Sequence, residues 1–306
     1  MWSTIDSFAR PPLGRHLHGR ALALNQRARG LLERAAPTPG DGRALGETLM
    51  ASVACWQLFR QGLPAPRQGL LQRHLQRQGA IADALASSGA RRNALPGLRR
   101  QARSRGQQRC LGRLQERLAA SAVAVPGRRR RRALARLLET EARWLDELGQ
   151  APPPSESELH AGLARLYRRA RQASAARPGS AVARRRLTRL VRGEELIFSG
   201  PGLISEAAGV PERRRLLDLV DEDAWLAGLV DSPAAAAGKP RDRQRLGKLV
   251  RRRRRELAVD LRVAALLGFG ESVVSYRRAL PWRTFIGLAG TAGVIGNGPQ
   301  TADFNG

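Results

Sequence analysis

A chain of 306 residues with 42% hydrophobic residues is long and apolar enough to bury a core as one large domain or two similar halves, which excludes disorder throughout. Its 54 Lys+Arg against 26 Asp+Glu leave a formal net charge of +28, self-repelling unless something negative is bound, so a polyanionic partner is the economical reading. The two cysteines lack CxxC spacing, which argues against a disulfide scaffold and a structural zinc site. No run of about 18 consecutive apolar residues is present, which argues against a spanning helix.

Only Lys239 and Lys248 are lysines; the remaining cations are arginines. A guanidinium stays charged at any working pH and binds phosphate oxygens through two parallel N–H groups, so phosphate is the favoured anion. Arginine abundance also fits a GC-rich coding bias, given the abundant Ala, Gly, Pro and Leu. The N-terminal stretch 1–20 has no apolar run of signal-peptide length, so the chain is expected in the cytoplasm.

Turn formers at 37–42, 62–66, 126–127, 149–155, 177–180, 200–202 and 232–240 cut the sequence into helical lengths. Cys55 and Cys110 fall in helical surroundings as buried free thiols. The run 128–132 places five arginines at a helix start, against the helix dipole unless an anion sits at those amides. Leu134, Leu137, Leu138, Glu141, Leu145 and Leu148 share one helix face, as do Leu159, Leu163, Leu166, Tyr167 and Ala170 on the next. Glu156 and Glu158 read as first-turn acids.

Arg165, Arg168, Arg169 and Arg171 form a basic strip on that second helix. The helix predicted over 182–198 repeats it: Arg185, Arg189 and Arg192 recur at i, i+4 and i+7, widened by Arg186. Like charges at this spacing repel by a few tenths of a kcal/mol per pair, so the stripe is either neutralised from outside or a solvated face. Asp218, Asp221, Glu222 and Asp223 are expected to pair with 213–215. A long helix over 241–267 carries Arg251, Arg252, Arg253, Arg254 and Arg255. Five consecutive residues point in every direction around a helix, so Arg253 or Arg254 must face the apolar stripe and needs an anion, a carboxylate or water. The segment 285–306, Gly-rich and without helical period, reads as a loosely ordered tail.

Strand patterns are nearly absent and aromatics are 4%, so the fold class is all-α. His16, His18, His74 and His160 have no ligand-spaced companions. No Gly-rich phosphate loop, dinucleotide fingerprint or nucleophile elbow occurs. The expectation is a non-enzymatic protein with no cofactor, no metal and no catalytic residue.

The order of segments resembles the conserved histidine α-helical domain (CHAD) family over 1–271, with halves of about 14–125 and 128–271 and an extension over 272–306. LHAGLARLYRRARQA from Leu159 is similar to the family's Gly-Leu-x-x-x-Tyr-x-x-x-Arg helix, with Gly162, Leu163, Tyr167 and Arg171 in step. AVARRRLTRLVRGEELIF takes the place of its basic helix, with Val182 where the histidine belongs. LLDLVDEDAWLAGL resembles the acidic element, and KLVRRRRRELAVDLRVAALLGFG the closing basic helix. In the first half, RALGETLMASVACWQLFRQGL aligns with the other basic helix, with Thr48, Leu49, Ser52 and Cys55 at its usual basic positions; Asp83 stands at the aspartate of its partner.

The resemblance implies two pseudo-symmetric antiparallel helical bundles flanking a basic groove that binds inorganic polyphosphate, and a location at polyphosphate granules. The expected contact set is Arg165, Arg168, Arg169, Arg185, Arg186, Arg189 and Arg192, with Arg251, Arg252, Arg253, Arg254 and Arg255 closing the wall. Charge alone supports RNA or DNA equally, against which stacking aromatics are scarce. A further alternative is a degenerate scaffold contacting an acidic protein.

Overall fold

The computed structural model describes residues 13–34, 38–60, 63, 65–86, 90–120, 127–198 and 209–280. Within them there are twelve helices and no strand. The predicted turn at 200–202 and the tail at 285–306 lie outside the described residues.

α1 (Leu13–Glu33) leads into α2 (Pro39–Phe59). Thr38 starts α2 with a reciprocal cap: its hydroxyl accepts from the Asp41 backbone N–H, the Asp41 carboxylate accepts from the Thr38 N–H, and Pro39 supplies a preset φ. α2 is mostly apolar and forms the axis of the molecule, packed by α1, α3 (Ala65–Ala86), α7 (Glu156–Ala176) and α8 (Ala181–Phe198). Thr48, Leu49, Ser52 and Cys55 are all buried there. The positions that the resemblance gave to a basic helix are therefore core positions, where a guanidinium could not be solvated.

α6 (Arg128–Gln150) lies against α1 and α3, and α4 (Ala90–Gln101) and α5 (Arg105–Ala120) pack on α9 (Val210–Leu229) and α11 (Pro240–Gly268). Each expected half thus lends helices to the other. One apolar core joins α1, α2, α3 and α6 through Ala28, Leu49, Ala82 and Leu134. A second joins α4, α5, α9 and α11 through Leu98, Leu111, Leu226 and Leu249, with Ala234 and Ala235 of the short α10 (Pro233–Ala236). The largest runs between them through α7, α8 and α12 (Val273–Ala279).

The capping of α7 repeats that of α2, with Ser155 and Glu158 as the reciprocal pair, so Glu158 is a first-turn acid as its position suggested. At Gly162 the α7 backbone meets α2: a Cβ there would lie 2.9 Å from the Leu58 carbonyl oxygen and 3.1 Å from Leu58 Cα. Gly209, at φ +80°, opens α9 in the left-handed region that glycine tolerates.

Glu141 and Glu194 are the most deeply buried carboxylates among the described residues. Glu141, on the apolar stripe of α6, accepts from Ser52 Oγ and Trp56 Nε1, from Asn25 Nδ2 at 3.2 Å and from Gln78 Nε2 at 3.5 Å. Burial pushes its carboxyl up, and these four donors pull it back. Glu194 of α8 receives Arg213 of α9, Nη2 at 2.8 Å and Nε at 3.2 Å, and the Tyr276 hydroxyl at 2.8 Å. Arg213 also donates to Gly268 O at 2.9 Å and lies over the Tyr167 and Tyr276 rings. Cys55 and Cys110 are free and buried, as their surroundings implied.

Candidate anion-binding site

The apolar stripe of α7 turns Leu159, Leu163, Leu166, Tyr167 and Ala170 inward, which leaves Arg165 half-buried and Arg168 and Arg169 exposed. On α8 the buried positions are Ala183, Leu187, Leu190, Val191, Gly193, Glu194, Leu196 and Ile197. The opposite face carries Arg185, Arg186 and Arg189. α7 packs directly on α8, so the two basic faces adjoin.

A residue that sequence reasoning missed joins them. Arg60 is the C-cap of α2, where unpaired helix carbonyls favour a cation. It donates through Nη1 to Gln72 Oε1 of α3 at 3.4 Å. It is a lone arginine after an apolar helix, and nothing local distinguishes it.

The guanidiniums act on one another. Burial pushes Arg165 below the ordinary arginine value, and the charges of Arg60, Arg169 and Arg168 add to the effect. Arg169 is lowered by burial, then by Arg60 and Arg186. Arg189 is lowered by burial and by Arg185, Arg169 and Arg186, with Asp83 of α3 opposing. Asp83 is itself raised by burial and pulled down by Arg184, Arg185 and Arg189. Seven guanidiniums from α2, α7 and α8 thus form one set of mutually repelling charges with Asp83 at its edge; Arg184 is engaged by Asp221 at 2.5 Å. Arg60 Nε, Arg165 Nη2 and Asp83 Oδ1 are buried with no hydrogen-bond partner among the described residues. A cluster of like charges with unused donors is a place for an anion.

The other expected site residues lie elsewhere. Arg192 continues the α8 stripe, and its Nε is buried without a partner among the described residues, but it is bound to Glu195 at 2.7 Å. The run on α11 is engaged with α9, which packs on both α8 and α11, and among the described residues no hydrogen bond or ion pair joins it to the α7 and α8 arginines. Arg253 holds Glu222 through two bonds of 2.7 and 3.0 Å, and Arg254 holds Asp223 at 2.7 and 3.3 Å. The requirement that one of them find a carboxylate is met twice over. Arg251, Arg252 and Arg255 point outward.

The acidic segment likewise pairs differently from expectation. Arg213 goes to Glu194 and not to its own helix, Asp221 to Arg184, and Glu222 and Asp223 to α11. At the start of α6, Arg131 donates to the α1-terminal carbonyls of Leu32 and Arg34, which relieves part of that basic run.

Among the histidines, His18 Nε2 lies 2.8 Å from Leu145 O, and His74 is buried with its ring centroid 4.9 Å from that of Trp144. Among the described residues no group of three or more His, Cys, Asp or Glu side chains could hold a metal ion, and no helix is long and apolar enough to cross a membrane. No family model, curated protein or solved structure matches the chain.

Proposed function

We propose that the chain binds a phosphate polyanion, inorganic polyphosphate foremost, at Arg60, Arg165, Arg168, Arg169, Arg185, Arg186 and Arg189, and that it performs no chemistry on it. One observation carries the reading: arginines from three helices are gathered against their own repulsion with Asp83 as the carboxylate at their edge. Folding spends stability to assemble such a cluster, and a multiply charged ligand returns it. Guanidinium in place of ammonium suits phosphate oxygens. The contact set is narrower than sequence alone suggested: Arg192 and the α11 run are left out.

On this reading the chain is a divergent CHAD-like protein whose surviving basic face is that of α7 and α8. Supporting it, Gly162, Leu163 and Tyr167 stand together on α7 where the family pattern has them, with Gly162 at the closest approach of two helices.

The test is a calorimetric titration with long-chain polyphosphate at two ionic strengths. If six cations are engaged, a slope of about −0.7 per contact gives log K falling by about 4 per decade of salt, a loss of about 10²–10³-fold between 50 and 200 mM. Arg185→Ala/Arg186→Ala/Arg189→Ala is expected to abolish binding with unchanged helicity. A flat salt response, or intact binding by the triple variant, refutes the site. Single-stranded RNA of matched charge displacing polyphosphate equally well would convert the reading to nucleic-acid binding, and phosphate release with magnesium or manganese would revive an enzyme.

A further inference from the structure

α11 spans 29 residues, Pro240 to Gly268, roughly 43 Å at about 1.5 Å per residue. Leu246, Leu249, Val250, Leu257, Leu261 and Ala264 bury one face. The opposite face is exposed along its whole length and divides in two. Toward the N-terminus it is cationic, with Lys248, Arg252 and Arg255. Toward the C-terminus Val259, Val263, Leu266 and Leu267 are 64, 51, 74 and 59% exposed.

At about 100° per residue, Val259, Val263 and Leu266 lie in line with the cations that precede them, and Leu267 stands at one edge. Arg262 lies within the apolar part. These four residues are half of the eight large hydrophobic side chains exposed among the described residues, so the exposure is concentrated and not scattered. Among the described residues no carboxylate pairs with Lys248, Arg255 or Arg262, and Arg252 reaches Glu256 only at 3.7 Å. Glu256 and Asp260 lie along one edge of the strip. Just beyond, α12 adds Val274, 60% exposed, and the exposed Arg277 and Arg278.

We propose that this face docks on an anionic phospholipid bilayer, with the valines and leucines entering the headgroup boundary and the flanking arginines meeting lipid phosphates. A helix with apolar and arginine residues on one exposed face lies in the plane of such an interface, held by apolar burial and by attraction to anionic lipid together. A second copy of the chain fits poorly. Each copy carries +28, and four side chains on one helix fall well short of the roughly 800 Å² per partner that a stable dimer buries. A nucleic-acid backbone would use the arginines and leave the apolar residues in water. Val274 and Arg277 of α12 border Arg165 and Arg168, but no residue of the α11 face belongs to the α7 and α8 cluster, so the α11 variants test this inference apart from the polyphosphate reading.

The test is co-sedimentation of the full chain with phosphatidylcholine vesicles, with and without phosphatidylserine. Binding is expected only with phosphatidylserine, and Val263→Ser/Leu266→Ser, which preserves charge and touches exposed positions alone, should weaken it by about tenfold. Arg255→Gln/Arg262→Gln should weaken it similarly. The variant Arg185→Ala/Arg186→Ala/Arg189→Ala should bind vesicles as the parent does. Undiminished binding by the double-serine variant would reduce the effect to the protein's overall charge and overturn the proposal. Loss of vesicle binding in the α8 variant would move lipid phosphate to that cluster and overturn it equally.

Discussion

Replacing Arg213 with methionine probes the most deeply buried ion pair. Arg213 is 1% and Glu194 0% exposed, and the guanidinium supplies two of the three contacts that satisfy the carboxylate, at 2.8 and 3.2 Å. Methionine fills much of the volume but leaves Glu194 with the Tyr276 hydroxyl as its hydrogen-bond partner among the described residues and Arg214 as the nearby positive charge. Removing one partner of a buried pair costs about 3–5 kcal/mol.

The charge part has a ceiling, because Glu194 escapes by taking up a proton. From an ordinary value of 4.5, protonation at pH 7 costs about 3 kcal/mol at about 1.36 kcal/mol per pH unit. The freed Gly268 carbonyl adds about 1 kcal/mol. Urea unfolding followed by circular dichroism should therefore show a deficit of about 4 kcal/mol at pH 7 that shrinks by about 2.5 kcal/mol at pH 5, where the proton is cheaper. Adding Glu194→Gln, which keeps an acceptor for Tyr276, should restore about 2 kcal/mol. A deficit under about 1 kcal/mol, or one independent of pH, would show that the pair is not desolvated as its burial implies.

Glu141→Leu strips Ser52, Trp56, Asn25 and Gln78 of their shared acceptor; a loss of about 3 kcal/mol in urea unfolding is expected, and a neutral outcome would mean that those donors find other partners. Gly162→Ala drives a methyl against the Leu58 backbone and should cost about 1–3 kcal/mol by parting α2 from α7, seen as a lower melting temperature. Burial and Arg77 hold His74 down at about 4 against an ordinary 6.5. The stability from keeping it neutral is whole above pH 6.5 and drains as pH falls toward 4. His74→Phe should flatten that part of the stability profile, while the raised carboxyls of Glu141 and Glu194 act in the opposite direction in both proteins.

Helical character was legible in the sequence throughout because it depends on neighbours, and helix length in the second half. Between 66 and 126, where no turn was expected, three helices, α3, α4 and α5, stand in place of one length. The stretches read as 182–198 and 241–267 are helices Ala181–Phe198 and Pro240–Gly268, since periodicity and punctuation by glycine and proline act over a few residues. The requirement that a guanidinium on the α11 stripe find a carboxylate also followed from local geometry.

Which carboxylate it would find did not follow. Arg213 has acids on its own helix and yet reaches Glu194, while Glu222 and Asp223 are taken by Arg253 and Arg254. Partners across a helix interface are set by how the helices cross, which is fixed by burial elsewhere, such as Gly162 against Leu58. The same holds for Arg60, a solitary cation in sequence that only the packing of α2 between α7 and α3 brings to the α7 and α8 arginines. Charge and helical period are properties of the string; convergence is a property of distances between residues far apart in it, and only the tertiary structure decides those.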